Sequence, residues 1–232
     1  MEPNARAHPR VWDLGWLVLR RQGQAIRRLL ANPALQLHGA RVLDFGCGTR
    51  PYEPWLCAMG ARYEGADIDA GHEVLVREDG TLSAAAATYD MVTSFQVLEH
   101  VWDLSVYLGE AWRVLKPGGS LLLSTHGSWF YHPHPGDYRR WTREGLRREV
   151  EARGFRLIDM HAVVGPLAWT TVLRSYGYAY ALRPIPLAGP VLCASAALLA
   201  NLLAWVEDRV TPTHITADNA CVYVGLFQRE GG

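Results

Sequence analysis

The sequence predicts an α/β fold, an open and mostly parallel sheet with helices on both faces. Three observations carry this expectation. Short apolar, β-branched runs alternate with segments of helical periodicity. The first such run, Arg41-Val-Leu-Asp-Phe45, ends on a glycine-rich turn. After a long departure from the rhythm, the chain returns to one more apolar run, Ala220 to Phe227. Alternation of this kind lays strands side by side with helical crossovers between them.

The opening residues 1–9 are polar and read as loose. From Val11 onward Leu14, Leu17, Val18, Gln22, Ala25, Ile26, Leu29 and Leu30 recur at helical spacing, predicting an amphipathic helix that Asn32-Pro33 ends. Arg20, Arg21, Arg27 and Arg28 read as its solvated face. Arg41 to Phe45 is the first strand, and Tyr52 to Met59 is the helix after its turn. Further strands are expected at Arg62–Ile68, Glu73–Val76 and Tyr89–Phe95. Leu104 to Leu115 has helical periodicity and stops at Lys116-Pro-Gly-Gly119, after which Ser120 to Thr125 resumes as a strand. Thr142 suits the N-cap of the next helix and Gly154 its stop. Phe155 to Val164 reads as a strand.

Gly165 to Asn219 breaks the pattern, with an aromatic stretch from Trp169 to Tyr180 and an uncharged tract from Pro184 to Val206. The tract approaches the roughly 20 residues of a membrane span, but Pro186, Gly189, Pro190 and Asn201 interrupt it. A buried helix, a homodimer contact or a substrate lid is expected, with a lipid-facing or lipophilic-substrate surface as the alternative. The organisation is therefore an N-terminal helical segment (1–38), an α/β core (39–165), an apolar helical insertion or lid (166–219) and a closing strand (220–232).

Within 232 residues, 23 Lys and Arg balance 23 Asp and Glu. No net field draws the chain to nucleic acid or an anionic membrane, so a small or neutral partner is expected. The four cysteines lie far apart without a CxxC pair, and the N-terminus lacks a signal segment. A cytoplasmic location is expected, with peripheral membrane association left open.

Asp44-Phe-Gly-Cys-Gly48 sits at a strand-to-helix junction, where glycine lets the backbone approach a ligand. A bare GxG serves many nucleotide sites. Arg50 occupies the place of a dinucleotide fingerprint's next glycine, which disfavours a pyrophosphate, while Asp67 follows at the end of the second strand, where a carboxylate can accept ribose hydroxyls.

At these residues the sequence resembles the class I S-adenosylmethionine-dependent methyltransferase family, of the small-molecule type. Val42-Leu-Asp-Phe-Gly-Cys-Gly-Thr49 is similar to its first motif, Tyr63 to Asp69 to its second, and Asp79-Gly80 to its adenine-binding turn. Tyr89-Asp-Met-Val92 through Val97-Leu-Glu-His-Val101 is similar to the fourth-strand motif, and Trp112 to Gly119 to the turn before strand five. The resemblance implies a Rossmann-like, seven-stranded sheet with a C-terminal antiparallel strand, and S-adenosyl-L-methionine as cofactor. It further implies that Gly46, Cys47 and Gly48 lie against the methionine part, that Asp44 holds its ammonium, that Asp67 with Ile68 binds the ribose, and that Asp79 with Gly80 meets the adenine. Phe95, Gln96 and His100 are the remaining expected cofactor contacts. Glu99 and His100 could equally brace the following helix, and Cys47 reads as a small turn residue. Arg50 and Leu82-Ser-Ala84 depart from the family pattern.

Methyl transfer needs in-line positioning, exclusion of water and a route for the acceptor proton. The segment from His126 to Thr142 is dense in groups suited to this. His126, His132 and His134 are the candidate bases, His126 first by position. Trp129, Tyr131, Tyr138 and Trp141 are candidate walls of a substrate pocket. Asp137 and Arg140 read as loop bracing. A metal site from His132, His134 and Asp137 is the competing use, but the prolines explain the spacing and no metal is expected. The expected reaction is O-methylation of a small metabolite, glycan or lipid-linked precursor, with N- or C-methylation open. The rival is a non-catalytic protein of the same fold that binds a partner or membrane through its insertion.

Overall fold

Successive residues of a strand point to opposite faces of a sheet, and along the central strands this divides the core in two. The computed structural model describes residues 6–231, so residues 1–5 of the opening segment lie outside the described residues. Its strands are β1 (Arg41–Phe45), β2 (Arg62–Asp67), β3 (Val74–Leu75), β4 (Tyr89–Phe95), β5 (Leu115–His126), β6 (Phe155–Val163) and β7 (Val222–Arg229). Val42, Met91 and Leu122 enter one apolar cluster, while their neighbours Leu43, Val92, Leu121 and Leu123 enter the other.

Helix α1 (Trp16–Leu30) covers the first face through Leu17, Ile26 and Leu29. Helices α3 (Leu104–Val114) and α4 (Arg143–Glu151) cover the second through Leu108, Ala111, Leu146 and Val150. The short α2 (Glu53–Ala58) follows the first strand. The insertion folds as α5 (Pro166–Leu182), α6 (Gly189–Val210) and α7 (Thr213–Asp218). The seven strands run in the order β3-β2-β1-β4-β5-β7-β6. All pairings are parallel except those of β7, which lies antiparallel between β5 and β6. This is the Rossmann-like architecture expected, with its antiparallel C-terminal strand.

Local chemistry accounts for the ends of several elements. Thr142 Oγ1 accepts the Gly145 N–H at 3.0 Å and caps α4, and Asp103 caps α3 by accepting from Ser105 and Val106. Helix α1 starts at Trp16 and not at Val11, because Gly15 takes a left-handed φ of 72° that a helix cannot continue through. Strand β5 begins at Leu115, ahead of the expected Ser120. Leu115 pairs with Tyr89 and Ser120 with Met91, so Lys116 to Gly119 is a bulge in the ladder.

Of the uses expected for the insertion, a helix buried throughout is not what α6 shows: only Gly189, Ala197, Asn201 and Ala204 are buried, which leaves a homodimer contact, a lid or a lipid-facing surface. Small residues face α1 and α5, while Val191, Leu199, Leu202, Leu203 and Val206 face outward. Asn201, the one polar side chain among the buried four, donates from Nδ2 to the carbonyls of Val11 and Asp13, both at 2.8 Å. It thereby ties the segment before α1 to the insertion.

Candidate active site

The carboxyl ends of β1 and β4 meet at the centre of the sheet, where helices leave to opposite faces and a crevice opens. The turn after β1 crosses this point with Gly46 at φ 83° and Gly48 at φ 49°. A Cβ on Gly46 would lie 2.4 Å from the Val97 side chain, so the two loops touch only because it is glycine. Beside Gly48 nothing lies within 4 Å of that position, leaving room for a ligand against the backbone.

Asp44 is buried beneath the turn. Its register partners explain its surroundings: Gly65 on β2 leaves space, and Thr93 on β4 brings a hydroxyl. Thr93 Oγ1 and Tyr63 Oη each donate to the Asp44 carboxylate at 2.8 Å. Burial outweighs these two donors and pushes its pKa up to about 6. A buried carboxylate held only by neutral hydroxyls suits a cationic ligand group. Cys47 is also buried, which pushes its thiol up to about 12, so it is no thiolate at neutral pH.

Asp67 closes the same turn from β2, accepting the Gly48 N–H and the Ile68 N–H at 2.7 Å each. The Ile68 side chain is exposed next to it. Asp79 lies on an exposed turn with Gly80 at φ 82° and accepts from the N–H and hydroxyl of Thr81. Phe95 packs edge-on against Tyr52. Gln96, at φ 59°, donates from Nε2 to Ser124 Oγ at 3.0 Å, and its buried Oε1 has no partner. Arg50 holds φ 55° and clasps Glu73 with both its terminal nitrogens. Tyr63, Thr93 and Glu73 were missed by sequence reasoning, although the parallel register of β1, β2 and β4 is the signal that points to the first two.

Beyond β4 and β5 a second group assembles. Glu99 is wholly buried; Thr125 Oγ1 donates to one of its oxygens at 2.8 Å, and the other lies 3.3 Å from His126 Nε2. Burial pushes the Glu99 carboxyl up to about 7. The same burial, reinforced by His132, Arg140 and His100, holds His126 well below the ordinary histidine range, so its imidazole is neutral. His126 stacks on Trp129 and Trp129 on Trp169 of α5, with ring centres 4.6 Å apart in both steps. His100 Nδ1 donates to the Gly136 carbonyl at 2.5 Å and His132 Nδ1 to that of Phe130 at 2.9 Å. His100, expected beside the cofactor, thus faces the loop after β5.

The other expected residues of that loop go elsewhere. His134 is exposed and precedes a cis peptide to Pro135. Tyr131 is 76% exposed. Tyr138 is half-exposed and packs on Trp102. Trp141 packs into the second core cluster. The competing metal set of His132, His134 and Asp137 does not assemble, because Arg140 occupies both Asp137 oxygens at 2.5 and 2.7 Å and holds that carboxyl well below its usual range. Of the expected pocket walls, Trp129 alone stacks on His126. Trp169 and Tyr176, contributed by the insertion, pack against it instead.

A family profile described as a methyltransferase domain matches residues 18–160. The chain belongs to the class I S-adenosylmethionine-dependent methyltransferases. This methyltransferase is 35% identical, over 160 aligned residues covering 55% of it and 63% of the relative, to a ubiquinone biosynthesis O-methyltransferase of Azorhizobium caulinodans. It spans about half the length of the first curated relatives it matches. Its fold is shared with an S-adenosylmethionine-dependent methyltransferase from Mesorhizobium loti, at TM-score 0.56, 15% identity and coverage of 90% and 98%. A phosphoethanolamine N-methyltransferase from Haemonchus contortus, solved with S-adenosyl-L-methionine, superposes at TM-score 0.56 and 14% identity over 90% of this chain and 52% of that one.

Proposed function

We propose that this methyltransferase moves the methyl group of S-adenosylmethionine to an oxygen of a small, lipophilic acceptor. The observation that carries the reading is the place of His126, a buried imidazole at the end of β5 that is stacked on Trp129 beside the Glu99 carboxylate. When bound, the cofactor supplies a methyl group already activated by its positive sulfur. Asp44 would hold the ammonium and Asp67 the ribose hydroxyls; Gly48 leaves the space between them open. The exposed Ile68 would lie beside the ribose, and the exposed Asp79 would meet the adenine.

Glu99 Oε1 lies 3.3 Å from His126 Nε2, a neighbour that favours the proton on Nε2 and leaves Nδ1 as the ring atom with a free lone pair; Nδ1 is buried and has no partner. Nδ1 would take the proton that the acceptor hydroxyl gives up as its oxygen gains the methyl group. The similarity to the Azorhizobium O-methyltransferase supports oxygen as the accepting atom. Incubation with methyl-labelled cofactor and a lipid-soluble metabolite extract tests the reading. Label is expected in an O-methyl product, reduced about 10²–10⁴-fold by His126→Asn. Calorimetry in which neither S-adenosylmethionine nor S-adenosylhomocysteine binds the folded protein overturns it.

We also infer that the α5–α6 hairpin rests on a lipid surface from which such an acceptor is drawn. Gly189–Val210 is 22 residues, roughly 33 Å long at 1.5 Å per residue, and an 18-residue window within it has a mean hydropathy of 1.8. Leu187 at the hairpin tip is 100% exposed, Val191 and Leu199 are exposed beyond it, and no charge occurs between Arg183 and Glu207. That apolar face exceeds what solvated helices leave open and suits insertion into the outer part of one leaflet. Flotation with phosphatidylcholine vesicles is expected to carry the protein, and Leu187→Asp with Leu199→Asp to release it. A protein that stays in solution as a dimer at all vesicle concentrations sinks this reading in favour of a second copy.

A further inference from the structure

The geometry points to a divalent metal site formed by Glu99, His100 and His132. One ligand atom from each lies within 4.8 Å of the other two. These three residues come from different places: Glu99 and His100 from the turn after β4, His132 from the loop after β5. Their chemistry is already prepared for a cation. His100 Nδ1 and His132 Nδ1 each face a backbone carbonyl, which only accepts, so both nitrogens carry the proton. Nε2 of each ring is then the lone-pair nitrogen. This is the arrangement in which an outer hydrogen bond fixes the tautomer of a metal-binding imidazole.

Glu99 supplies the independent observation. Its Oε1 is buried and has no hydrogen-bond partner, and the residue is 0% exposed. A carboxylate oxygen left alone in the interior is costly, and an ion satisfies it. His126 Nε2 lies 3.3 Å from Oε1 without a hydrogen bond to it. Two imidazoles and one carboxylate are the donor set of zinc-type ions rather than of magnesium. Bonds of ~2.0–2.1 Å set tetrahedral ligands roughly 3.3 Å apart, so small side-chain rotations from the present spacing close the site. Three protein ligands leave a position open. If acceptor O-methylation is as proposed above, an ion held here would lie close to His126, which is 3.3 Å from Glu99, and would stabilise the alkoxide or phenolate. The binding of the ion itself does not depend on that reading.

The test uses the full chain, dialysed against chelator and titrated with Zn²⁺ by calorimetry and with Co²⁺ by visible absorption. One ion per chain is expected, with the absorption of a cobalt ion bound through nitrogen and oxygen. His100→Ala and His132→Ala should each weaken binding at least tenfold, while His134→Ala leaves it unchanged. His132→Gln, which keeps a polar side chain of similar length, guards against loss of folding, and a circular-dichroism melt checks each variant. Absence of binding, or binding unaltered by His132→Gln in a folded protein, overturns the inference. S-adenosylhomocysteine binding measured on the same metal-free sample distinguishes this failure from failure of the methyltransferase reading.

Discussion

Arg50 and Glu73 are joined by a two-toothed ion pair, at 2.8 and 2.7 Å, that ties the turn after β1 to the start of β3. The pair holds arginine in a left-handed backbone conformation, φ 55°, that favours glycine, and Glu73 also accepts the Gly65 N–H at 2.9 Å. Arg50→Gly is therefore expected to be near neutral, since relief of the backbone offsets loss of a half-exposed pair worth about 1 kcal/mol or less. Arg50→Val loses the pair and keeps the strain, a cost of about 1–2 kcal/mol. Urea denaturation of the two variants checks the order; a Val variant as stable as the Gly variant contradicts it.

The Asp44 carboxyl has its pKa raised to about 6 by burial. A group whose folded pKa is raised favours folding below its unfolded value near 3.8 and loses that contribution as pH rises through 6. A cationic ligand reverses the preference. Affinity for S-adenosylhomocysteine, which carries an ammonium, is expected to rise about tenfold from pH 5 to pH 7 as Asp44 ionises. Asp44→Asn should flatten this profile, weaken binding and stabilise the ligand-free protein at pH 8. Calorimetry across that range, with an unchanged slope in the variant, is the result that refutes the assignment.

Two glycines of one turn separate strain from space. Gly46→Ala meets both a left-handed φ and the Val97 side chain at 2.4 Å, and should cost more than about 2 kcal/mol. Gly48→Ala meets open space, so its stability loss should be smaller while cofactor affinity falls. Equal melting temperatures for the two variants would show that Val97 yields freely.

Trp169 is buried, stacks on Trp129, and donates from Nε1 to Ser128 Oγ at 3.1 Å. Trp169→Ala should cost about 3–5 kcal/mol. Trp169→Phe keeps the stack and loses only the donor, so its stability should be close to that of the parent while KM for the acceptor rises. Thermal melts and initial-rate kinetics on the two variants distinguish wall from scaffold.

What was legible in the chain is what depends on near neighbours. The run from Arg41 to Phe45, the alternation in Tyr89 to Phe95 and the Thr142 cap are local patterns, and each element lies where its pattern places it. Gly15 escaped because apolar spacing reports the face of a helix and not the backbone angle that starts it. Lys116 to Gly119 has the composition of a break, yet the neighbouring strand keeps pairing on both sides of the bulge. In the site, Asp44 and Asp67 carry a motif, whereas Tyr63, Thr93 and Glu73 acquire their roles only when strands align. The loop from Gly127 to Trp141 was rich in suitable residue types, and side-chain identity alone could not separate Trp129, turned inward, from Tyr131, turned out. Hydropathy left the packing of α6 open among a buried helix, a dimer contact, a lid and a lipid-facing surface, because it measures what a face prefers; the small residues Gly189, Ala197 and Ala204 let the helix pack closely with its larger side chains outward.

The insertion leaves and rejoins the sheet at touching points, for the Cys221 N–H donates to the Val164 carbonyl at 3.0 Å. A stretch so closed at its base can be exchanged between genes by recombination without cutting a strand, and a lineage could acquire a new acceptor while inheriting an unaltered cofactor half. Asn201 sets the limit on such trade. Because it is hydrogen-bonded to Val11 and Asp13, a transplanted hairpin must arrive with an N-terminal segment that fits it, and variation at the two distant stretches of chain should be inherited together.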